Sequence, residues 1–369
     1  MTQPDGSPPR SPGAPRRLDG LAALPADLGG AVVTVGMFDG VHRGHRALLD
    51  RVAAEAAARR VPAAAVTFDR HPLAVLRPGS EPPLLTTLDR KVELLGDAGM
   101  QVVLVLEFTR ELSEVGAEAF ATQVLFDGLA ARAVVVGENF RFGHKAAGDP
   151  ALLAGLGRPR GIEVVAVPLQ TAGDEVVSST RVRAELAAGD VAAAAASLGR
   201  PHAVEGVVVA GDGRGRPLLG IPTANLAIAP GIAIPADGVY AGHLTDAGPD
   251  GSGEAQGGAP VDRPEGSGEP RGGAPVDRGV ARPAAISVGT NPQFGTDRRV
   301  EAHVLDFDDD LYGHRVSVSF AHHLRGQATF ADLDELIAQI KADVDQTRRL
   351  LSSPPGGTVR TGGSSRPTP

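Results

Sequence analysis

Two patterns of apolar residues divide the chain into an earlier and a later part. In the earlier part, short apolar runs alternate with stretches whose apolar residues recur at helical spacing, which is typical of a parallel sheet with crossover helices. The predicted strands are 31–35, 63–68, 102–106, 133–136 and 162–167, and the predicted helices are 48–60, 89–98, 115–125 and a pair within 184–200. This order predicts a doubly wound, Rossmann-like α/β domain.

Beyond Gly199 the pattern changes to short strands separated by turns. Strands are predicted at 204–209, 238–243, 300–307 and 315–320, a run typical of a small antiparallel β-barrel. From Phe330 to Leu351 the apolar residues recur at helical spacing, which predicts a terminal helix. The fold class is therefore an α/β domain followed by a small antiparallel barrel with a helix at its end.

Three segments have too few large apolar residues to build a core and are predicted to be disordered. Two are tails, at 1–20 and 352–369. The third, 246–282, is predicted to be a loop between two barrel strands, and it holds a near-repeat, GSGEAQGGAPVDRPE followed by GSGEPRGGAPVDRG. The two folded domains are then 21–199 and 200–351.

Composition narrows the class of protein. The 369 residues, 42% hydrophobic and 22% charged, suit a globular protein with two cores. A net charge of −8 with no basic stretch argues against nucleic-acid binding. The chain has no cysteine and no apolar run near the ~18 residues of a membrane span. We expect a cytoplasmic protein that acts on small molecules without a membrane partner; self-association into a homo-oligomer stays open.

The strand at 31–35 leads into the densest cluster of candidate chemistry. A glycine turn follows it, and two histidines three residues apart then precede a helical pattern that begins at Arg46. Histidines at this spacing lie on nearly one face of a helix, and a helix start offers free N–H groups to an anion. A zinc site is an alternative, although no third ligand is evident in this stretch. The candidate residues are Gly36, Phe38, Asp39, Gly40, His42 and His45.

The string GMFDGVHRGH resembles the signature of the bacterial bifunctional riboflavin kinase/FAD synthetases, a branch of the HxGH nucleotidylyltransferases. Later strings resemble the riboflavin kinase module, in the order GDGRGRPLLGIPTANL, GVYAGHL, ISVGTNPQFG, VEAHVLDFDDDLYGHRVSVSF and HHLRG, with Gln293 where a threonine is common. The resemblance implies phosphorylation of riboflavin to FMN by 200–351 and adenylylation of FMN to FAD by 21–199, with ATP as co-substrate in both steps.

Other candidates in the first domain follow predicted strands, at the edge where open α/β sheets bind ligands. A hydroxyl-rich segment with Arg183 opens a helix; its residues alone equally indicate an N-cap, whereas the resemblance implies that it lies over the triphosphate. The nucleotide candidates are Asn139, Ser178, Ser179 and Thr180, and Arg183 is a catalytic candidate on the ATP side. The flavin candidates are Phe68, His71, Phe140 and Phe142, joined in the second domain by Arg325 of HHLRG.

Thr223 and Asn225 are the metal candidates of the second domain. Two apart in extended backbone, they point the same way, and their hard oxygens suit Mg²⁺ beside nucleotide phosphates, although the tetrapeptide alone also fits an ordinary turn. A preceding glycine-rich loop lets backbone N–H groups approach phosphates. Its candidate residues are Gly211, Gly213, Gly215, Arg216 and Gly220.

Glu301 is the candidate base of the second domain. In VEAHVLDF, alternate residues are apolar, so Glu301 lies on the face away from the core, where it is either solvated or a general base. The resemblance implies the base, while His42 and His45 would stabilise charge on phosphates without a covalent intermediate. Two other hypotheses stay open: an HxGH transferase for another phosphorylated substrate with a binding-only barrel, and a non-catalytic flavin-binding regulator.

Overall fold

A computed structural model describes residues 14–25, 28–172, 175–210, 223–250, 279–290 and 298–352. They belong to two compact units, Met1–His202 with Pro230–Ile234, and Ala203–Ala229 with Pro235–Pro369. The predicted fold class is confirmed, because the first unit holds a parallel sheet and the second a closed antiparallel barrel. None of the described helices combines the length and the apolar character needed to cross a bilayer.

Six parallel strands form the sheet of the first unit, in the order β1-β4-β3-β2-β5-β6. They are β1 Arg16–Asp19, β2 Ala31–Val35, β3 Ala63–Phe68, β4 Val102–Leu106, β5 Ala131–Gly137 and β6 Glu163–Val167, and a hairpin of β7 Thr171–Ala172 and β8 Glu175–Val176 follows. Every residue of β2 and β4 is buried, since helices cover both faces of the sheet.

The helices of the first unit pack on both sides of this sheet. They are α1 Arg43–Arg59, α2 Pro72–Leu76, α3 Leu88–Asp97, α4 Arg110–Glu114, α5 Ala117–Phe120, α6 Pro150–Gly157, α7 Ser179–Ala187 and α8 Val191–Leu198, with 3-10 turns at Leu21–Ala23, His144–Ala146 and Arg158–Arg160. Leu49 of α1 packs on the face of Val32, and Phe120 of α5 on the face of Val33.

The strand order reverses at β2, which has β3 on one side and β5 on the other. Ligands of doubly wound sheets bind at the carboxyl ends of the strands where the order reverses. The loops that follow β2 and β5 are therefore placed at the expected crevice.

The second unit is a closed barrel in the order β10-β13-β12-β11-β14-β9. Its elements are β9 His202–Val209, β10 Ala224–Ile228, β11 Gly238–Pro249, β12 Ala281–Thr290, β13 Arg298–Val304, β14 His314–Arg325 and the terminal helix α9 Leu333–Leu351. Val300, Ala302 and Val304 are buried, which confirms the predicted inner face of β13.

Three sequence expectations need correction. The predicted tail at 1–20 includes β1, which pairs with β4 through backbone bonds although only Leu18 is buried; residues 1–13 lie outside the described residues. The predicted insertion at 246–282 overlaps β11, which continues to Pro249, and β12, which begins at Ala281. The helix predicted at 115–125 is divided: α4 ends at Glu114, and α5 continues as a π-helix, Ala121–Gly128.

Candidate active sites

The loop after β2 makes a strained turn that brings its backbone close to a neighbouring segment. Phe38 and Val41 have φ of 49° and 39°, and Gly40 has φ of 78°. A Cβ atom on Gly40 would lie 2.7 Å from Leu85 Cδ1, so only glycine fits there. Positive φ at two non-glycine residues is the kind of strain that clusters at functional sites.

The two predicted histidines lie together at the start of α1. Nδ1 of His42 accepts a hydrogen bond from the His45 backbone N–H at 3.3 Å, so His42 caps α1 and starts it at Arg43 rather than at the predicted Arg46. The two rings stack with centroids 3.6 Å apart. A Cβ on Gly44 would lie 3.1 Å from the His42 ring and from the Val177 carbonyl oxygen, which explains the glycine between them.

Both imidazoles are neutral at physiological pH. Burial, with the charges of Arg200 and Arg183, lowers the pKa of His42 to about 4, and burial holds the pKa of His45 well below its ordinary value. Because Nδ1 of neutral His42 accepts a bond, its proton is on Nε2. Nδ1 of His45 is buried and makes no hydrogen bond among the described residues. The stack can therefore donate hydrogen bonds without carrying a charge of its own.

Asp39 joins this turn to the start of α7. Its carboxylate accepts hydrogen bonds from the backbone N–H of Leu85 at 2.9 Å and pairs with the guanidinium of Arg183. Ser179 Oγ donates to the Asp39 carbonyl oxygen at 2.9 Å. Burial raises the pKa of Asp39, and the charge of Arg183 opposes that rise. Two predicted motifs far apart in sequence thus meet at one carboxylate.

In the barrel, strand register places Asn225 of β10 directly opposite Glu301 of β13. Ala224 and Leu226 are buried at 8% and 7% exposure, so Asn225 faces away from the barrel core together with Glu301. Ser287 of β12 is the partner of Glu301 on its other side. The row of Asn225, Glu301 and Ser287 forms a half-buried polar strip on the outer face. The predicted loop residues Gly211, Gly213, Gly215, Arg216 and Gly220 lie outside the described residues.

Comparison with known proteins accounts for both halves of the chain. The FAD synthetase family model matches residues 24–181, and the riboflavin kinase family model matches residues 198–351. The bifunctional riboflavin kinase/FMN adenylyltransferase of Escherichia coli (strain K12) is 34% identical over 329 residues, which are 89% of this chain and 94% of that relative. This chain belongs to the bifunctional riboflavin kinase/FMN adenylyltransferase family. The resemblance inferred from the signature strings is confirmed.

A further relative and a solved structure each align with about nine tenths of this bifunctional enzyme. The bifunctional riboflavin kinase/FMN adenylyltransferase of Pseudomonas fluorescens is 34% identical over 335 residues, 90% of this chain and 97% of the relative. A crystal structure described as a macrolide-efflux protein from Streptococcus pneumoniae has a TM-score of 0.74 at 27% identity, covering 91% of this chain and 99% of that one. The two family models and the names of the two bifunctional relatives show that the predicted two-step synthesis of flavin cofactors is the function of the family.

Some predicted ligand residues of this bifunctional enzyme are occupied by structural contacts. Phe142 is 7% exposed in the core and stacks on Phe140 with centroids 5.2 Å apart, and its flavin role stays a prediction. Arg325 donates to the Asp343 carboxylate of α9 at 2.8 Å and holds the terminal helix against the barrel. Sequence reasoning overlooked both contacts because core packing and the helix position depend on the tertiary fold.

The remaining first-unit candidates lie at the carboxyl edge of the sheet or at helix starts. Nδ1 of His71 caps α2 by accepting from the Leu73 N–H at 3.1 Å, and Ser178 Oγ caps α7 by accepting from the Arg181 N–H at 3.2 Å. Thr180 and Asn139 are exposed, Phe68 packs edge-on against Phe108, and a Cβ on Gly36 would lie 3.0 Å from the Phe38 ring.

Two cations near the signature turn, residues 36–42 between β2 and α1, were not predicted. Arg200 donates to the carbonyl oxygens of Gly40 at 2.6 Å and Val41 at 3.2 Å, and burial lowers its pKa to about 10. Lys91 of α3 is 5% exposed and donates from Nζ to the Phe68 carbonyl oxygen at 2.7 Å. The sequence does contain one signal for Lys91, because it shares the helix face of Leu95, four residues later, which is fully buried.

Proposed function

We propose that the barrel, within 200–351, phosphorylates riboflavin and that the first unit, within 21–199, adenylylates FMN. The observation that supports this division is that each unit has its own set of polar groups. The first has the stacked pair of His42 and His45 at the strand-order reversal, and the second has Asn225 opposite Glu301. ATP would be the co-substrate of both reactions, presenting a different phosphorus atom to attack in each.

In the kinase reaction, we assign Glu301 as the general base. Its carboxylate takes the proton of the ribityl 5′-hydroxyl while the hydroxyl oxygen attacks the γ-phosphorus of ATP, and ADP leaves. Directly opposed side chains on antiparallel strands have Cβ atoms about 4.5–5.5 Å apart, which is close enough for Asn225 to bind the phosphates that the base serves. A general base in this position contributes about 10²–10⁴ in rate.

Thr223 and Asn225 are proposed to hold Mg²⁺ together with the phosphates. Among the described residues, no group of three or more His, Cys, Asp or Glu could hold a metal by itself. The carboxamide of Asn225, opposite Glu301, and the hydroxyl of Thr223, two residues earlier, fit an ion that keeps water and phosphate oxygens as its other ligands, as Mg²⁺ does. When bound, Mg²⁺ neutralises charge on the phosphates.

In the adenylyl transfer, the FMN phosphate attacks the α-phosphorus of ATP and pyrophosphate leaves. The neutral rings of His42 and His45 would donate hydrogen bonds to the oxygens on which charge accumulates, without a covalent intermediate. Arg183, held by Asp39 and the Pro83 carbonyl oxygen, would bring a positive charge to the triphosphate. Further nucleotide contacts are proposed for the loop and helix-start residues Gly36, Phe38, Gly40, Asn139, Ser178, Ser179 and Thr180. Flavin contacts are proposed for Phe68, His71, Phe140 and Phe142 of the first unit and for Arg325 of the barrel.

Incubating the full chain with riboflavin, ATP and Mg²⁺ tests the proposal, with flavins separated by chromatography over time. FMN should appear first and FAD later, and supplied FMN should give FAD directly. Accumulation of FMN without FAD, or no product at all, would reject the two-step function. Tight flavin binding without turnover would favour a flavin-binding regulator.

A further inference from the structure

Lys91 is a buried cation whose capacity for hydrogen bonding is mostly unused. An ammonium carries three N–H donors, and Nζ of Lys91 makes one hydrogen bond, to the Phe68 carbonyl oxygen at 2.7 Å. Among the described residues, no second acceptor bonds to Nζ and no carboxylate lies within ion-pairing distance of it. Burying a charge is costly unless a partner compensates it, so this arrangement lacks an anion.

The nearby carboxylates already bind other groups. Asp39 accepts from the Leu85 N–H and pairs with Arg183, and Asp69 accepts from the Phe108 N–H at 2.8 Å. Their charges act on Lys91 from a distance, but neither forms an ion pair with it. The missing anion is therefore not supplied by these side chains.

The position of Lys91 places this unpaired charge beside the signature turn. Phe68 is the last residue of β3, and β3 pairs with β2 in a register that joins Val66 to Val35. One residue before Phe68, Thr67 Oγ1 donates to the Met37 carbonyl oxygen of the turn at 3.2 Å. The charge of Lys91 also acts on His45, whose buried Nδ1 has no hydrogen-bond partner among the described residues.

We propose that Lys91 is a further phosphate-contacting residue of the adenylyl-transfer site, with its two unused N–H groups donating to phosphate oxygens of a bound substrate. This inference rests on the proposed adenylyl transfer in the first unit. The phosphate belongs either to the ATP polyphosphate or to FMN. The two imidazoles are neutral, so Lys91 would add a positive charge beside them that can offset the negative charge gathering on the phosphates.

Two substitutions separate this role from a structural one. Lys91→Met removes both the charge and the bond to Phe68, whereas Lys91→Gln keeps a donor for the Phe68 carbonyl oxygen but is neutral. Lys341→Met is the matched control, because Lys341 is exposed on α9 in the other unit. Hydrogen exchange of peptides from β2 and β5 reports whether the first unit of each variant is folded, and riboflavin phosphorylation by the same chain is the internal activity control.

The expected result is a loss of about 10- to 100-fold in kcat/KM for FAD formation from FMN in both Lys91 variants, with FMN formation from riboflavin unchanged. A raised KM for ATP and weaker inhibition by pyrophosphate would assign the contact to the polyphosphate, and a raised KM for FMN to the FMN phosphate.

Burial lowers the pKa of Lys91 to about 8, despite the opposing charges of Asp39 and Asp69. The wild-type kcat/KM should therefore fall above about pH 8, and this fall should be absent in Lys91→Gln.

Wild-type activity in Lys91→Gln, including its pH profile, would overturn the proposal, because it would mean that the hydrogen bond to Phe68 suffices. If Lys91→Met fails to fold, Lys91→Gln alone decides by the same criteria. A wild-type chain that makes FMN but no FAD would reject the adenylyl transfer itself and the role of Lys91 with it. A wild type that makes FAD, with unchanged Lys91 variants, rejects only the role of Lys91.

Discussion

Acidification is expected to destabilise the first unit because two of its histidines are buried in neutral form. His42 is 5% exposed and His202 is 2% exposed, and burial lowers the pKa of each to about 4. In the unfolded chain both imidazoles have the ordinary value near 6.5. As the pH falls through that value, the unfolded state binds protons that the folded state does not, so folding becomes less favourable until the folded pKa is reached.

The size of the effect follows from the two pKa values. Protonation linkage at each histidine lowers the free energy of unfolding by at most about 3.4 kcal/mol. About 1.8 kcal/mol of this decrease occurs between about pH 7 and about pH 5. His42 and His202 together then remove about 4 kcal/mol, and His45 adds to the loss in the same direction. A typical domain has a free energy of unfolding of about 5–15 kcal/mol, so the first unit would be only marginally stable near pH 5.

Urea unfolding at a series of pH values measures this loss, with hydrogen exchange of peptides from β2 and β5 reporting on the first unit. His202→Gln removes one titrating group but can still donate to the Ala233 carbonyl oxygen, which His202 Nε2 contacts at 2.9 Å. The loss between about pH 7 and about pH 5 should then shrink by about 1.8 kcal/mol. His322→Gln, at an exposed position of β14, is the control. A stability independent of pH, or the same slope in His202→Gln, would refute the reasoning.

Further predictions address the division of labour and the buried ion pair. Glu301→Gln should lower FMN formation by about 10²–10⁴ while FAD formation from supplied FMN survives, as chromatography of the flavins would measure. His42→Ala combined with His45→Ala should do the reverse, and loss of both activities in a folded variant would contradict independent sites. Arg183→Met should cost about 3–5 kcal/mol in urea unfolding, since it leaves the Asp39 carboxylate buried without its cation; a change below about 1 kcal/mol would contradict that role.

Local patterns in the sequence predicted the parts of the enzyme that are built within a few residues of each other. The apolar run of β2, the glycine turn and the histidines of α1 all fall within 20 residues, so the turn and the shared helix face could be inferred without long-range information. The alternation in β13 placed Glu301 away from the core for the same reason, and the structure agrees, with Val300 and Ala302 at 1% and 0% exposure. The burial of Phe142 was not predicted, because burial depends on what packs around a residue.

Alternation along a chain encodes which residues of one element face a core, and this much was determined by the sequence alone. It does not encode which elements become neighbours. Only the tertiary structure brought Arg183 to Asp39, 144 residues away, placed β1 beside β4, and set Asn225 opposite Glu301. It alone buried Lys91 without an anionic partner, because burial and pairing are properties of the surroundings that long-range packing supplies.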